Sequence, residues 1–116
     1  MDSELDFIVP DWPSSDRVKA VSTTRAGGFS SAPWDSFNLG GHVDDHPDRV
    51  EKNRLKLADW VGIPLSGLYF MNQVHGTRII GLSGKPPVEA DGCVTSRARV
   101  PCVVMTADCL PVLFCN

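Results

Sequence analysis

The sequence predicts an α+β fold, a mixed β-sheet with one clear helix at about residues 47–61. Three observations carry this expectation. A stretch with helix start and stop signals follows a long glycine-rich loop, and from residue 68 onward the chain breaks into short β-branched and aromatic runs separated by Gly, Pro and Ser. With 116 residues, 42% apolar and 22% charged, the composition is that of one globular domain with one core. A chain of this length buries about two thirds of the surface its unfolded form exposes, so neither a disulfide nor a metal is needed merely to hold it together. A bound metal would therefore have a chemical task.

From the N-terminus, LDFIVP is a short apolar start and RVKAVSTT (17–24) reads as a strand, with β-branched residues in rough alternation. RAGGFSSAPWDSFNLGGH (25–42) holds four glycines, a proline and several Ser, Asp and Asn residues, so it is loop. Its length points to function, and Phe29, Trp34 and Phe37 point to an ordered conformation. In HPDRVEKNRLKLADWVGIP, Pro47 suits the first helical position, Asp48 and Glu51 suit the positive end of the macrodipole, and Gly62 with Pro64 marks the stop. Val50, Leu57, Ala58 and Val61 form one apolar stripe, Arg54 fills its gap, and the charged opposite face faces solvent.

The remaining segments LYFM, TRIIGL, ADGCVTS, VPCVVMT and LPVLFC read as strands. The last two are nearly continuous apolar runs, the pattern of strands covered on both faces. A strand of that kind needs neighbours on both sides. The expectation is that residues 1–116 are the N-terminal part of a single domain cut at a buried strand, or that another copy supplies the missing neighbour through the C-terminal strand.

Net charge is −3 with His neutral, and the eleven Lys and Arg residues are scattered, so no basic stripe for a phosphate backbone is present and nucleic acid is not expected as a partner. The N-terminus is acidic and without a signal-peptide core, and no window reaches the length of a membrane span, so the expectation is a cytoplasmic protein without a membrane partner. Cys93, Cys102, Cys109 and Cys115 all lie in the last quarter, and none of their spacings is C-x2-C. Reduced thiols are expected, and a structural zinc ribbon is disfavoured.

Two residues stand out chemically. His75 lies in NQVHGT between an apolar segment and a glycine, and Cys109 lies in TADCLPVLFC beside Asp108. A lone turn histidine commonly faces solvent, and a cysteine in an apolar strand commonly just packs. Asp108 shifts that balance, because a carboxylate inside a doubly covered strand costs roughly several kcal/mol unless paired. Pro111 removes a ladder donor two residues after Cys109, as at a bulge or a site. Cys93, Cys102 and Cys115 lack these features and are assigned to the core. An imidazole and a thiolate form a borderline-soft donor pair that suits zinc. A catalytic zinc takes three protein donors and one open position, so a third donor must come from elsewhere. His42 is the candidate within this chain, whereas His46, next to Pro47, belongs to the helix cap.

The stretches STTRAGGFS (22–30), FNLG (37–40), HVDDHPDRVEKNR (42–54), NQVHG (72–76), EADG (89–92) and MTADCLPVLFCN (105–116) resemble the bacterial multicopper polyphenol oxidase (laccase-like) family. Members are described as purine nucleoside phosphorylases and are linked to peptidoglycan editing. The resemblance covers about the N-terminal half of a member. It implies a zinc ion held by His75, by Cys109 and by a histidine of a later His-Ala-Gly-Trp stretch that has no counterpart here. Beside such a metal, Asp108 is expected to orient or neutralise the surroundings.

The resemblance further implies phosphorolysis of adenosine, inosine and methylthioadenosine, with nucleoside and phosphate as partners, and adenosine deamination as a second activity. Deamination suits a metal that lowers the pKa of water to about 7. Phosphorolysis needs an anion held by cations and backbone N–H groups, and Arg25 beside Gly27 and Gly28 is the candidate phosphate-binding residue. Copper-dependent phenol oxidation, also implied, fits least, since the three histidines are too few for copper clusters. Two alternatives stay open: a cysteine hydrolase in which His75 activates Cys109, and a non-enzymatic binding module.

Overall fold

The helix forms where its signals place it. In this computed structural model, which describes residues 5–13, 16–83 and 89–115, α1 runs over Pro47–Val61. The His46 carbonyl accepts the N–H of Val50 at 3.1 Å, so His46 is the residue from which the helix starts. Gly62 adopts φ 82°, its N–H reaches Asp59 O, and the N–H of Ile63 reaches Ala58 O at 3.1 Å. This paired closure is the Schellman arrangement, and only a residue that tolerates the left-handed region closes it cheaply. Arg99 adds a guanidinium hydrogen bond to the Gly62 carbonyl at 3.1 Å, where a cation meets the negative end of the helix. Val50, Leu57 and Ala58 are buried and Val61 is half-buried, whereas Asp48, Glu51, Lys52 and Asp59 are exposed.

The described chain falls into two compact units, one formed by residues up to Arg54 with those from Val112 onward, the other by Leu55–Pro111. The first is organised around irregular backbone. Gly28 lies against the 36–37 backbone so closely that a Cβ there would stand 2.1 Å from the Ser36 carbonyl oxygen. Phe37 is buried, its ring centroid 6.0 Å from that of Phe7, and Trp34 donates its indole N–H to Val43 O at 2.8 Å. The loop predicted over 25–42 is thus ordered.

Its organiser is Asn53, which is 0% exposed. The Asn53 side-chain oxygen accepts the Phe29 N–H at 2.8 Å, and its amide donates to Ser30 Oγ at 3.0 Å and to Asn38 O at 2.7 Å. Ser30 Oγ in turn donates to Asp45 Oδ2 at 2.6 Å, and Asn38 donates to the same oxygen at 3.1 Å. Arg54, in the gap of the apolar stripe, spends its Nε on the Leu39 carbonyl at 2.8 Å. One helix face therefore supplies donors and acceptors that loop backbone cannot find in a ladder.

In the second unit, β1 (Ile79–Gly81) and β2 (Gly92–Val94) pair in parallel, with Ile80 opposite Cys93. A parallel bridge joins Asn72 to Glu89. Leu57, Ala58, Leu68, Met71, Leu82 and Ala90 are its buried apolar residues. With one α-helix and a small parallel sheet among the described residues, the fold class is α+β, as predicted.

The strands differ from expectation more than the helix does. RVKAVSTT contributes only an antiparallel bridge between Ser22 and Ile8, and LYFM only the bridge at the following Asn72. VPCVVMT and LPVLFC form no strand among the described residues, and the second is open to solvent, with Leu110 84% and Phe114 91% exposed. An apolar run signals that a segment can be covered on both faces, and no described segment ladders with it. No helix among the described residues is long and apolar enough to cross a membrane.

Asn53→Ala removes three hydrogen bonds in a site without water access, and should lower the unfolding free energy by about 3 kcal/mol in a urea titration, while Glu51→Ala on the exposed face stays within about 0.5 kcal/mol. Desolvation pushes the Asp45 carboxyl up, but hydrogen bonds from Ser30, Asn38 and the His46 N–H, together with the Arg49 charge, outweigh it and hold the group below its ordinary value. A carboxyl depressed on folding stabilises the fold above its unfolded pKa of about 3.9 and loses that contribution as pH falls through the lower folded value. The urea midpoint of the parent should therefore exceed that of Asp45→Asn at neutral pH, and the gap should close on acidification below about pH 4.

Candidate metal centre

Gln73 ties the two chemically distinctive segments together. Its amide nitrogen donates to Met105 O at 2.8 Å, and its amide oxygen accepts the Met105 N–H at 2.8 Å. A side chain thereby does what a β-ladder partner would do, pairing with both backbone groups of one residue. His75 follows Gln73 by two residues and Cys109 follows Met105 by four, so the clamp ties the residue two before the histidine to the residue four before the cysteine, within the second unit.

The turn itself is held by Asp91, the residue before β2. Asp91 Oδ1 accepts the N–H groups of Val74 at 2.9 Å and His75 at 2.8 Å, and Oδ2 accepts that of Gly76 at 2.8 Å. His75 has φ 59°, in the left-handed region, which for a residue other than glycine costs roughly 1–2 kcal/mol and persists only where the surroundings enforce it. Desolvation raises the Asp91 carboxyl, and the N–H groups of Gly76, Val74 and His75 with the His75 charge overcome this, leaving it below the usual carboxylate range.

The His75 side chain is exposed, and so are those of Asp108 and Cys109. The Cys109 thiol points to Asp108 Oδ1 at 4.0 Å. Asp108 was expected inside a doubly covered strand; its segment is instead solvated, so no burial cost has to be offset there. The four cysteines are thiols, none in a disulfide. Assignment of three of them to the core holds only for Cys93, which is half-buried with its thiol 4.0 Å from Val103 O. Cys102 and Cys115 are exposed residues, the first in a run whose neighbours from Val100 to Met105 are half-buried and the second in a run open to solvent. Even so, desolvation of the Cys102 thiol and its hydrogen bond and charge interaction with Cys93 push it up to about 12.

Arg25 and His42 belong to the other unit. The Arg25 guanidinium is exposed and folds back on its own loop, with Nε donating to Asp35 O at 3.0 Å and Nη2 lying 3.5 Å from Asp35 Oδ1. His42 is exposed, and His46 sits at the helix start with its N–H on Asp45 Oδ1 at 2.7 Å. Among the described residues, no group of three or more His, Cys, Asp or Glu side chains could hold a metal ion. By type, an exposed imidazole and an exposed thiol such as those of His75 and Cys109 are groups that zinc accepts, and a zinc site would need further donors besides them. Sequence reasoning missed Gln73, Asp91 and Asn53. Asp91 had a local signal, an acid flanked by Ala90 and Gly92 at the start of a β-run, whereas nothing local marks Gln73 as partner of Met105.

The chain is thus α+β, with the turn at residues 74–76 seated on Asp91 and the Gln73 side chain bonded to the Met105 backbone. The profile of the family described as multi-copper polyphenol oxidoreductase laccase matches residues 19–116, and the chain belongs to that family. Over 112 residues it is 47% identical to the purine nucleoside phosphorylase YfiH of Escherichia coli, covering 95% of this chain and 46% of that protein. Over 110 residues it is 44% identical to a purine nucleoside phosphorylase of Pseudomonas aeruginosa, covering 95% of this chain and 44% of the relative. The crystal structure of a Neisseria meningitidis protein superposes with a TM-score of 0.80 at 38% identity, over 89% of this chain and 42% of that one. The chain thus spans less than half the length of these relatives.

With its thiol pushed up to about 12 by desolvation and by its interaction with Cys93, Cys102 stays protonated at pH 8 and is a poor nucleophile. Brief iodoacetamide treatment at pH 8 followed by peptide mass spectrometry should therefore find Cys109 alkylated well before Cys102.

Proposed function

We propose that this chain is the N-terminal part of a cytoplasmic, zinc-dependent purine nucleoside phosphorylase that acts on adenosine, inosine and methylthioadenosine, with adenosine deamination as a side activity. The observation that carries the reading is the likeness to proteins named purine nucleoside phosphorylase, at 44% and 47% identity over 95% of the chain. The donor pair supports it. His75 and Cys109 would hold the metal, with Asp108 beside the thiol as its orienting acceptor.

When bound, zinc supplies Lewis-acid stabilisation of developing negative charge. The protein's own part is positional. The Gln73 clamp and the Asp91 cradle fix the two donor segments before any ligand arrives, so that little ordering entropy is lost on binding. In phosphorolysis a phosphate oxygen bonds to C1′ of the ribose while the N9–C1′ bond breaks, and the purine leaves with the electron pair and takes up a proton. Arg25 is the proposed phosphate-binding residue, and in that role its guanidinium would exchange the exposed Asp35 contact for the anion.

The test is hypoxanthine release from inosine and phosphate by the full-length protein. Release should require phosphate, fall at least tenfold with chelator, and fall by about 100-fold or more in His75→Ala and Cys109→Ala. Absence of phosphate-dependent release overturns the reading, and hydrolysis without phosphate by a metal-free protein would assign Cys109 as a nucleophile instead.

A further inference from the structure

We propose that Asp91 is the positioning residue for His75. The inference rests on the reading of His75 as a metal donor and adds to it a residue that makes no direct claim on the metal. Successive N–H groups in a turn with a left-handed residue converge on one side and form a concavity for an anion. Here the chain supplies the anion itself, with Val74 and His75 on Asp91 Oδ1 and Gly76 on Oδ2.

Two further observations show that the seat is built. At Gly76 a Cβ would stand 3.1 Å from Asp91 Oδ2, so glycine leaves room for the carboxylate to approach. Asp91 is itself fixed by the sheet, since its N–H donates to Arg78 O at 3.0 Å and the Gly92 N–H donates to the same carbonyl at 3.2 Å. The position of β2 is thereby passed through one carboxylate to the backbone that carries the imidazole. Without Asp91, the φ of 59° at His75 loses what enforces it, and the ring is no longer presented in one direction.

The test uses the full-length protein and the variants Asp91→Asn, Asp91→Ala and Gly76→Ala, with circular dichroism and melting as the check on folding. Asn keeps Oδ1 for Val74 and His75 but turns an amide donor toward the Gly76 N–H, so it is the partial rescue. Zinc affinity by competition with a chromophoric chelator should fall about tenfold in Asp91→Asn and about 100-fold in Asp91→Ala, the range seen when a group orienting a metal donor is lost. In the cobalt-substituted protein the thiolate-to-metal charge-transfer band from Cys109 should persist, while the ligand-field bands shift. Amide exchange at residues 74–76 of the metal-free protein should quicken at least tenfold.

Zinc affinity within twofold of the parent in folded Asp91→Ala overturns the proposal. So does failure of all three variants to fold, which would make Asp91 a support of the whole unit rather than of the turn, and so does a parent that binds no zinc. A parent that binds zinc but releases no hypoxanthine removes the phosphorylase reading, while the fall in affinity in the variants still supports the role of Asp91. A parent that releases hypoxanthine, with unchanged affinity in Asp91→Ala, removes the positioning role alone.

Discussion

One carboxylate receiving three consecutive backbone N–H groups is the constraint on which the histidine turn of the second unit depends. Asp91 converts a turn that would be costly in isolation into a defined one, and it does so from the end of a strand whose place is set by pairing. The Gln73 amide then extends order to the cysteine segment, which has no ladder of its own among the described residues. A neutral hydrogen bond adds about 1 kcal/mol net, so the clamp matters more for direction than for energy. Each segment carries one candidate donor, and each is held from outside the donor itself.

The first unit solves a related problem by the same means. Its long loop pairs with no sheet among the described residues, and backbone groups removed from water need partners. Asn53 provides one acceptor and two donors from a fully buried position on the helix, and Asp45 gathers Ser30, Asn38 and the His46 N–H around one carboxylate. In both units irregular backbone is ordered by a side chain from a regular element or from its edge. This is also why the glycine-rich loop can be long without being loose.

What the sequence disclosed follows from the range of each signal. Helix start, stop and stripe are local, and α1 begins at Pro47 and ends before Gly62 as Pro47, Gly62 and Pro64 require. Strand pairing is not local, so RVKAVSTT and LPVLFC carry the right residue types but find no ladder partners beyond a single bridge among the described residues. His75 and Cys109 could be named by type and by resemblance, and their segments are joined by the clamp. Gln73 and Asn53 could not be, and Asp91 had only the weak signal of an acid between Ala90 and Gly92, because amides and carboxylates are common on surfaces and only a fold decides which of them meets backbone. Asn53 in particular sits between two charged helix residues, Lys52 and Arg54, yet among the described residues it is the largest fully buried side chain.

The close approach of Gly28 to the 36–37 backbone has an evolutionary consequence. Any replacement would drive a Cβ into the Ser36 carbonyl, and the displaced chain carries Asn38, which is bonded to both Asn53 and Asp45. Drift at that codon is therefore confined to synonymous change unless the opposing segment is rebuilt with it, so the two stretches must vary as one heritable block.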